Sequence, residues 1–208
     1  MIVITTDQGV TTVTLNRPDK ANSLTRDMLE AVETAARQAA TDPDLRAFVL
    51  TGVGRVFSAG ADLDQARAGL ATDAVWERLS AAVAALPCLT IAALNGTCAG
   101  GALGMMLACD LRIAVPGAAF FYPVMRLGFL PQPSDPRRMA ALIGRSRSAM
   151  ILMAGQKIGA EEALSWGLID RIVPEGDLGQ AVASLTEAVR AAPPGHAARI
   201  KAMIADQA

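Results

Sequence analysis

Val56-Phe-Ser-Ala-Gly-Ala-Asp-Leu-Asp64 and Asn95-Gly-Thr-Cys-Ala-Gly-Gly-Ala-Leu-Gly-Met-Met-Leu-Ala-Cys-Asp110 are the two stretches that decide the fold. Each carries a run of small residues where a short buried strand gives way to a turn, and the second opens directly into a helix. Small side chains let backbone N–H groups face a ligand unobstructed. Two such turns can converge on a single oxygen and form an oxyanion hole.

Working outward, Ile2 to Thr5 and Val10 to Leu15 flank Asp7-Gln8-Gly9 and predict an N-terminal hairpin. Thr25 is placed as an N-cap, with Met28, Leu29, Val32 and Ala36 at helical spacing to about Ala40. Short strands follow at Arg46 to Thr51, Thr90 to Leu94, Leu111 to Val115, Ala119 to Tyr122 and Ile169 to Val173. Helices are predicted over Ala74 to Leu86, from Gly101 to Ala108, from Ser134 to about Ile143, over Ser146 to Ala154, and from Ile158 to Gly167. Two more, Leu178 to Ala191 and Gly195 to Ala205, lie C-terminal to about residue 177. Strands alternating with helices argue for an α/β fold of stacked units with largely parallel pairing, here one domain over residues 1–208.

Composition narrows the function. A net charge of −1 with no basic run argues against a nucleic-acid partner. The apolar run Leu86 to Leu94 is broken by Pro87 and too short to span a membrane. The N-terminus has no signal-peptide pattern, which with Cys88, Cys98 and Cys109 as small buried hydrophobes suggests a reducing, cytoplasmic setting. No metal-ligand spacing is present, so no metal and no separate cofactor are expected.

Together the residues resemble the crotonase superfamily, the enoyl-CoA hydratase/isomerase family. The resemblance rests on Asn16-Arg17-Pro18, Lys20 to Leu24, Phe57 to Leu63, Asn95-Gly96, Gly100-Gly101, Cys109-Asp110, Leu127-Gly128 and Trp166 to Ile169. It implies a crotonase-like spiral of ββα units, assembled as a homotrimer or dimer of trimers, that acts on an acyl-CoA thioester in fatty acid metabolism. Coenzyme A would be part of the substrate. By the family pattern the thioester oxygen accepts from the N–H groups of Ala61 and Gly101, the latter at a helix N-terminus. Lys20, Ala21 and Leu24, with Ala59, Asp62, Leu63 and Asp64, match the segments that hold the coenzyme arm. Typical members continue into two further C-terminal helices, so the resemblance implies an acyl site that is more open here or covered differently.

Gly104 and Val124 stand where hydratases of the family carry their two glutamates, the second following Pro123. Neither residue transfers a proton, so standard hydration is not expected. Both positions would instead give the acyl chain an apolar wall, and Met105 and Phe129 are further tunnel candidates. Tyr122 and Asp135 are the acid candidates. Tyr122, in strand geometry, would share a face with Val124, though a phenol of pKa near ~10 is a poor base. Its other reading is a packing residue with the hydroxyl at the surface. Asp135 either reaches the acyl site or follows a Ser134 cap and stabilises a helix N-terminus; Gln132 aligns where some members place an aspartate. Arg126 is a candidate for a substrate carboxylate or a neighbouring subunit's acid, and His196 is expected to be exposed. Two functions stay open: an enzyme that stabilises a thioester enolate, such as one that decarboxylates a malonyl-type thioester, and a non-catalytic acyl-CoA binder or carrier. Outside the family, a purely structural α/β module remains.

Overall fold

Gln8 and Gly9 take φ of 46° and 78°, the left-handed twist that folds one strand tightly back on the next. They join β1 (Ile2–Asp7) to β2 (Val10–Leu15) as an antiparallel hairpin, so β1 runs two residues further than the sequence pattern suggests. The computed structural model describes residues 1–205. After β2 comes α1 (Arg26–Ala39), capped as expected by Thr25, whose hydroxyl oxygen accepts from Met28 N–H at 3.3 Å. Its buried residues Met28, Leu29, Val32, Ala35, Ala36 and Ala39 form one helical stripe against the core.

The chain then winds through three similar turns. The first comprises β3 (Ala47–Gly52), β4 (Val56–Ser58), α2 (Leu63–Arg67) and α3 (Val75–Ala84). The second comprises β5 (Leu89–Leu94), β6 (Thr97–Ala99) and α4 (Ala102–Leu107). The third comprises β7 (Leu111–Ala114), β8 (Ala119–Phe121), α5 (Val124–Leu127) and α6 (Asp135–Leu152). Each turn gives its first strand to a large sheet and its second to a small one. The large sheet has the order β1-β2-β3-β5-β7-β10, with β10 at Arg171–Ile172, and is parallel from β2 onward. In the small sheet, β4, β6 and β8 are parallel and β9 (Ile158–Gly159) pairs antiparallel with β8. This is the α/β spiral of ββα units that the sequence implied.

Side chains alternate across the large sheet. Ala92 and Leu94 of β5 join the main core, whereas Ile91 and Ala93 join Val49, Ile113 and Val173 on the opposite face. That second face is covered by Leu178, Ala181, Val182 and Leu185 of α8 (Leu178–Ala191), and α9 (His196–Ala205) follows. α7 (Ala160–Trp166) ends at Gly167, where φ is 84°.

Four local expectations need correction. The two helices expected over residues 134–154 are one run bent at Gly144 (φ 78°). Ser134 does not cap it: both its N–H and its hydroxyl donate to Glu77 of α3, at 3.2 and 3.0 Å. Tyr122 and Val124 do not share a strand face, because β8 stops at Phe121 and Val124 opens α5. Ile158-Gly159 pairs in the small sheet before the helix begins at Ala160.

Candidate active site

Because β4, β6 and β8 are parallel neighbours, their C-terminal ends reach the same edge of the small sheet. Ala59-Gly60-Ala61 leaves β4, Gly100-Gly101 leaves β6, and Tyr122-Pro123 leaves β8. Residues of all three segments line one cavity of about 180 Å³. Gly60 (φ 91°) and Gly100 (φ 57°) face each other where the first two turns meet. A Cβ on Gly60 would lie 2.9 Å from the Ala99 carbonyl oxygen, so a side chain there would drive the turns apart. Gly100 N–H in turn donates to the Phe121 carbonyl at 3.0 Å, tying the second turn to the third.

Leu24 pairs with the first turn as a single parallel bridge. Its N–H donates to Gly60 O at 2.7 Å, and its carbonyl accepts from Asp62 N–H at 2.9 Å. In such a bridge the N–H of the intervening residue, Ala61, is directed away from Leu24. Gly101 precedes α4, and its N–H has no earlier turn of helix to donate to. The six-membered ring of Trp76 lies against Gly101: a Cβ there would be 2.9 Å from Cε3. Trp76 is itself fixed by donating its indole N–H to Leu70 O at 2.8 Å.

Leu63, Val124, Leu127, Phe129 and Leu130 make the remaining wall largely apolar, with Gln132 adding an amide. Tyr122 is 4% exposed, so its hydroxyl is not at the surface; it donates to Asp135 Oδ2 at 2.9 Å. Asp135 is fully buried, and its Oδ1 has no hydrogen-bond partner among the described residues. Burial pushes this carboxyl up to about 7, against the opposing pull of the Tyr122 hydrogen bond and the Arg138 charge. Burial, and then the Asp135 charge, push the Tyr122 phenol well above its ordinary range. Asp135 does begin α6, but its side chain turns to Tyr122 and not to the helix N–H groups, which corrects the reading as a helix-end charge.

Residues 5–208 match the model of the family described as enoyl-CoA hydratase/isomerase. The chain belongs to the enoyl-CoA hydratase/isomerase family. The Mycobacterium tuberculosis protein named "Probable enoyl-CoA hydratase echA6" is 37% identical over 203 residues, which is 96% of this chain and 82% of that protein. The crystal structure of an enoyl-CoA hydratase from Bacillus anthracis superposes with a TM-score of 0.92 at 30% identity, covering 99% of this chain and 82% of that one. An enoyl-CoA hydratase from Mycobacterium avium gives a TM-score of 0.89 at 32% identity, with 99% and 81% covered.

In this family member the cavity gathers Ala59, Ala61, Leu63, Gly101, Tyr122 and Val124 from the residues singled out in the sequence. Leu24 must be removed from the substrate contacts, because it is fully buried and both its backbone groups are engaged. Gly104 does not line the cavity; it is buried in α4 with the Asp135 carboxylate packed against it. Met105 is buried away from the cavity, whereas Phe129 lines it. Asp62 is turned to the protein: it accepts from Arg17 at 2.7 Å and caps α2 through Gln65 N–H at 3.3 Å. The Arg17 hydrogen bond holds its carboxyl below the ordinary range. Asp64 is exposed beside Arg67, 3.6 Å away, and Lys20 is exposed at the end of the 3-10 turn Pro18–Lys20. Ala21 anchors the first turn by accepting from Ala59 N–H at 3.0 Å.

The pin of that region is Asn22. It is buried in the left-handed conformation (φ 51°) and bonds Arg17 N–H, Val53 O and Val56 O through its side chain. Arg126 lies on a separate surface with Met125, Met153 and Lys157, and His196 is exposed as expected. The cysteines are all buried, and burial pushes the Cys98 thiol well above its ordinary range. Among the described residues there is no group able to hold a metal ion and no helix long and apolar enough to cross a membrane.

Proposed function

We propose that this chain binds an acyl-CoA thioester with the carbonyl oxygen between the N–H groups of Ala61 and Gly101, stabilises the thioester enolate, and protonates it at the α-carbon from Tyr122. One observation supports the reading: Ala61, Gly101 and Tyr122, which follow the ends of three parallel strands, line one cavity, and the buried Tyr122 hydroxyl is hydrogen-bonded to Asp135 behind it. Donors fixed before reaction stabilise an oxyanion more than a neutral carbonyl, and each is worth roughly 3–4 kcal/mol of barrier.

Hydration needs a base to activate water and an acid for the α-carbon. No carboxylate lines the cavity, and the positions that would supply two are Gly104 and Val124. The chemistry that fits forms the enolate without such a pair. Loss of carbon dioxide from a malonyl-type thioester leaves its electron pair on the α-carbon. The apolar wall of Leu63, Val124 and Leu127 offers the departing carboxylate no ion pair, which favours its loss as neutral gas.

The test is a panel of crotonyl-, 3-enoyl- and malonyl-type CoA thioesters, with calorimetric binding followed by mass spectrometry of the same mixtures. Micromolar binding with loss of carbon dioxide and no added water is the expected result. Efficient hydration of crotonyl-CoA would refute the reaction assignment, and tight binding with every thioester recovered intact would favour a carrier.

A further inference from the structure

Asp135 fills the space that a side chain at position 104 would need. A Cβ on Gly104 would lie 2.8 Å from Asp135 Oδ1 and 3.1 Å from Oδ2, closer than real Cβ atoms approach an oxygen without displacement. The acid absent from α4 is thus matched by one from α6, seated against the same glycine and bonded to the tyrosine that lines the cavity. A buried carboxyl with one oxygen orphaned is costly as an anion and is not needed to end a helix.

We propose that Asp135 is the proton reservoir of this site and works through the Tyr122 hydroxyl, so that the pair takes the place of the family's glutamate. This rests on the enolate reading above. In the protonating direction, the enolate electron pair forms a C–H bond at the α-carbon as the Tyr122 O–H bond breaks. At the same time the proton on the Asp135 carboxyl, which the protonated acid donates to Tyr122 across the same 2.9 Å contact with the hydrogen bond reversed, moves to the tyrosine oxygen. One proton has passed from Asp135 to carbon, Asp135 is left as carboxylate, and the phenol is neutral before and after. In reverse, Tyr122 takes the α-proton while giving its own to the Asp135 carboxylate. The tyrosine therefore never has to exist as phenolate, which removes the obstacle that a phenol is a poor base near neutrality. Asp135 recovers its starting state from solvent when the cavity empties.

The charged and titratable groups facing Asp135 are Tyr122 beyond β8, Glu77 of α3, Arg138 of α6 and Cys98 of β6. Cys98 is held as a neutral thiol by burial. Glu77 raises and Arg138 lowers the Asp135 carboxyl, so burial decides the balance and leaves it poised at about 7. Tyr122 is the group that meets the acyl chain; Asp135 acts one bond behind it.

The experiment is exchange of the α-protons of butyryl-CoA in D2O, followed by proton NMR from pH 5.5 to 8.5, with thioester binding measured in parallel. Exchange should rise with pH and level off near neutrality, because the reverse relay needs the Asp135 carboxylate. Asp135→Asn and Tyr122→Phe should each lower it by about 10²-fold or more and remove the pH break, while butyryl-CoA affinity is retained. If Asp135→Asn does not fold, Tyr122→Phe and the wild-type pH profile still decide. Exchange that persists in Asp135→Asn with the same pH break, or wild-type exchange with no break near neutrality, overturns the relay and leaves the enolate reading standing. Wild-type protein that binds butyryl-CoA without exchange also overturns the relay, and the enolate reading then stands or falls separately on whether a malonyl-type thioester loses carbon dioxide.

Discussion

The contact between Gly104 and Asp135 makes a prediction about stability that requires no substrate. Gly104→Ala adds one methyl group to the interior of α4, 2.8 Å from Asp135 Oδ1. Overpacking of this kind costs about 1–3 kcal/mol, while replacing glycine in a helix returns up to about 1 kcal/mol. In an Asp135→Ala background the carboxylate is gone and only the helix gain remains. A double-mutant cycle by urea and thermal unfolding should therefore show Gly104→Ala to be about 1–3 kcal/mol worse with Asp135 present than with it absent. For a chain of this size that is a difference of roughly 2–12 °C in Tm shift. An equal effect of Gly104→Ala in both backgrounds would refute the claim that Asp135 holds the space of the missing side chain.

Three further perturbations test neighbouring parts of the account. Gly101→Pro and Gly101→Ala both bring a Cβ against Trp76, but only proline removes the N–H; α-proton exchange should fall by roughly 10²–10³-fold more in the proline variant, and equal losses would remove Gly101 as a donor. Asp135 has a folded pKa raised to about 7, so the folded state holds a proton the unfolded state has lost; its contribution to stability should decline as pH rises from the ordinary carboxylate range, about 4, through about 7. Unfolding titrations should show that decline in wild type and its absence in Asp135→Asn. Asn22→Ala leaves the Val53 carbonyl without its side-chain donor and the Val56 carbonyl with Asn95 alone and should cost about 1–3 kcal/mol in urea unfolding, with thioester binding weakened because the loop that holds Ala21 against Ala59 loses its pin.

The elements with a strong period were legible in the sequence: the hairpin, α1 with its Thr25 cap, β5 and α8 all fall within a residue or two of where the pattern places them. β8 was legible to within a residue, but β4 and β6 span only three residues each, too few for an alternation to show. They are strands because successive turns of the spiral bring them side by side, which is a tertiary fact. The same holds for Leu24, whose loop resembles the family segment that holds the coenzyme arm although its backbone bridges Gly60 and Asp62 and its side chain enters the core. Tyr122 and Asp135 are thirteen positions apart with α5 between them, so no local spacing links them. Trp76 over Gly101 was missed for the same reason: α3 showed an apolar stripe, but not which turn the indole would meet. Asp135 was an acid candidate in the sequence, but its contact with Gly104 was not legible there.

The most direct test of the enolate claim is the carbonyl stretch of a CoA thioester bearing 13C at the carbonyl carbon, read by isotope-edited infrared difference spectroscopy on the bound and free ligand. Polarisation between the Ala61 and Gly101 N–H groups should shift the bound band to lower frequency, and Gly101→Pro should undo most of that shift while the ligand remains bound. A bound thioester whose carbonyl absorbs as it does in water would contradict the account.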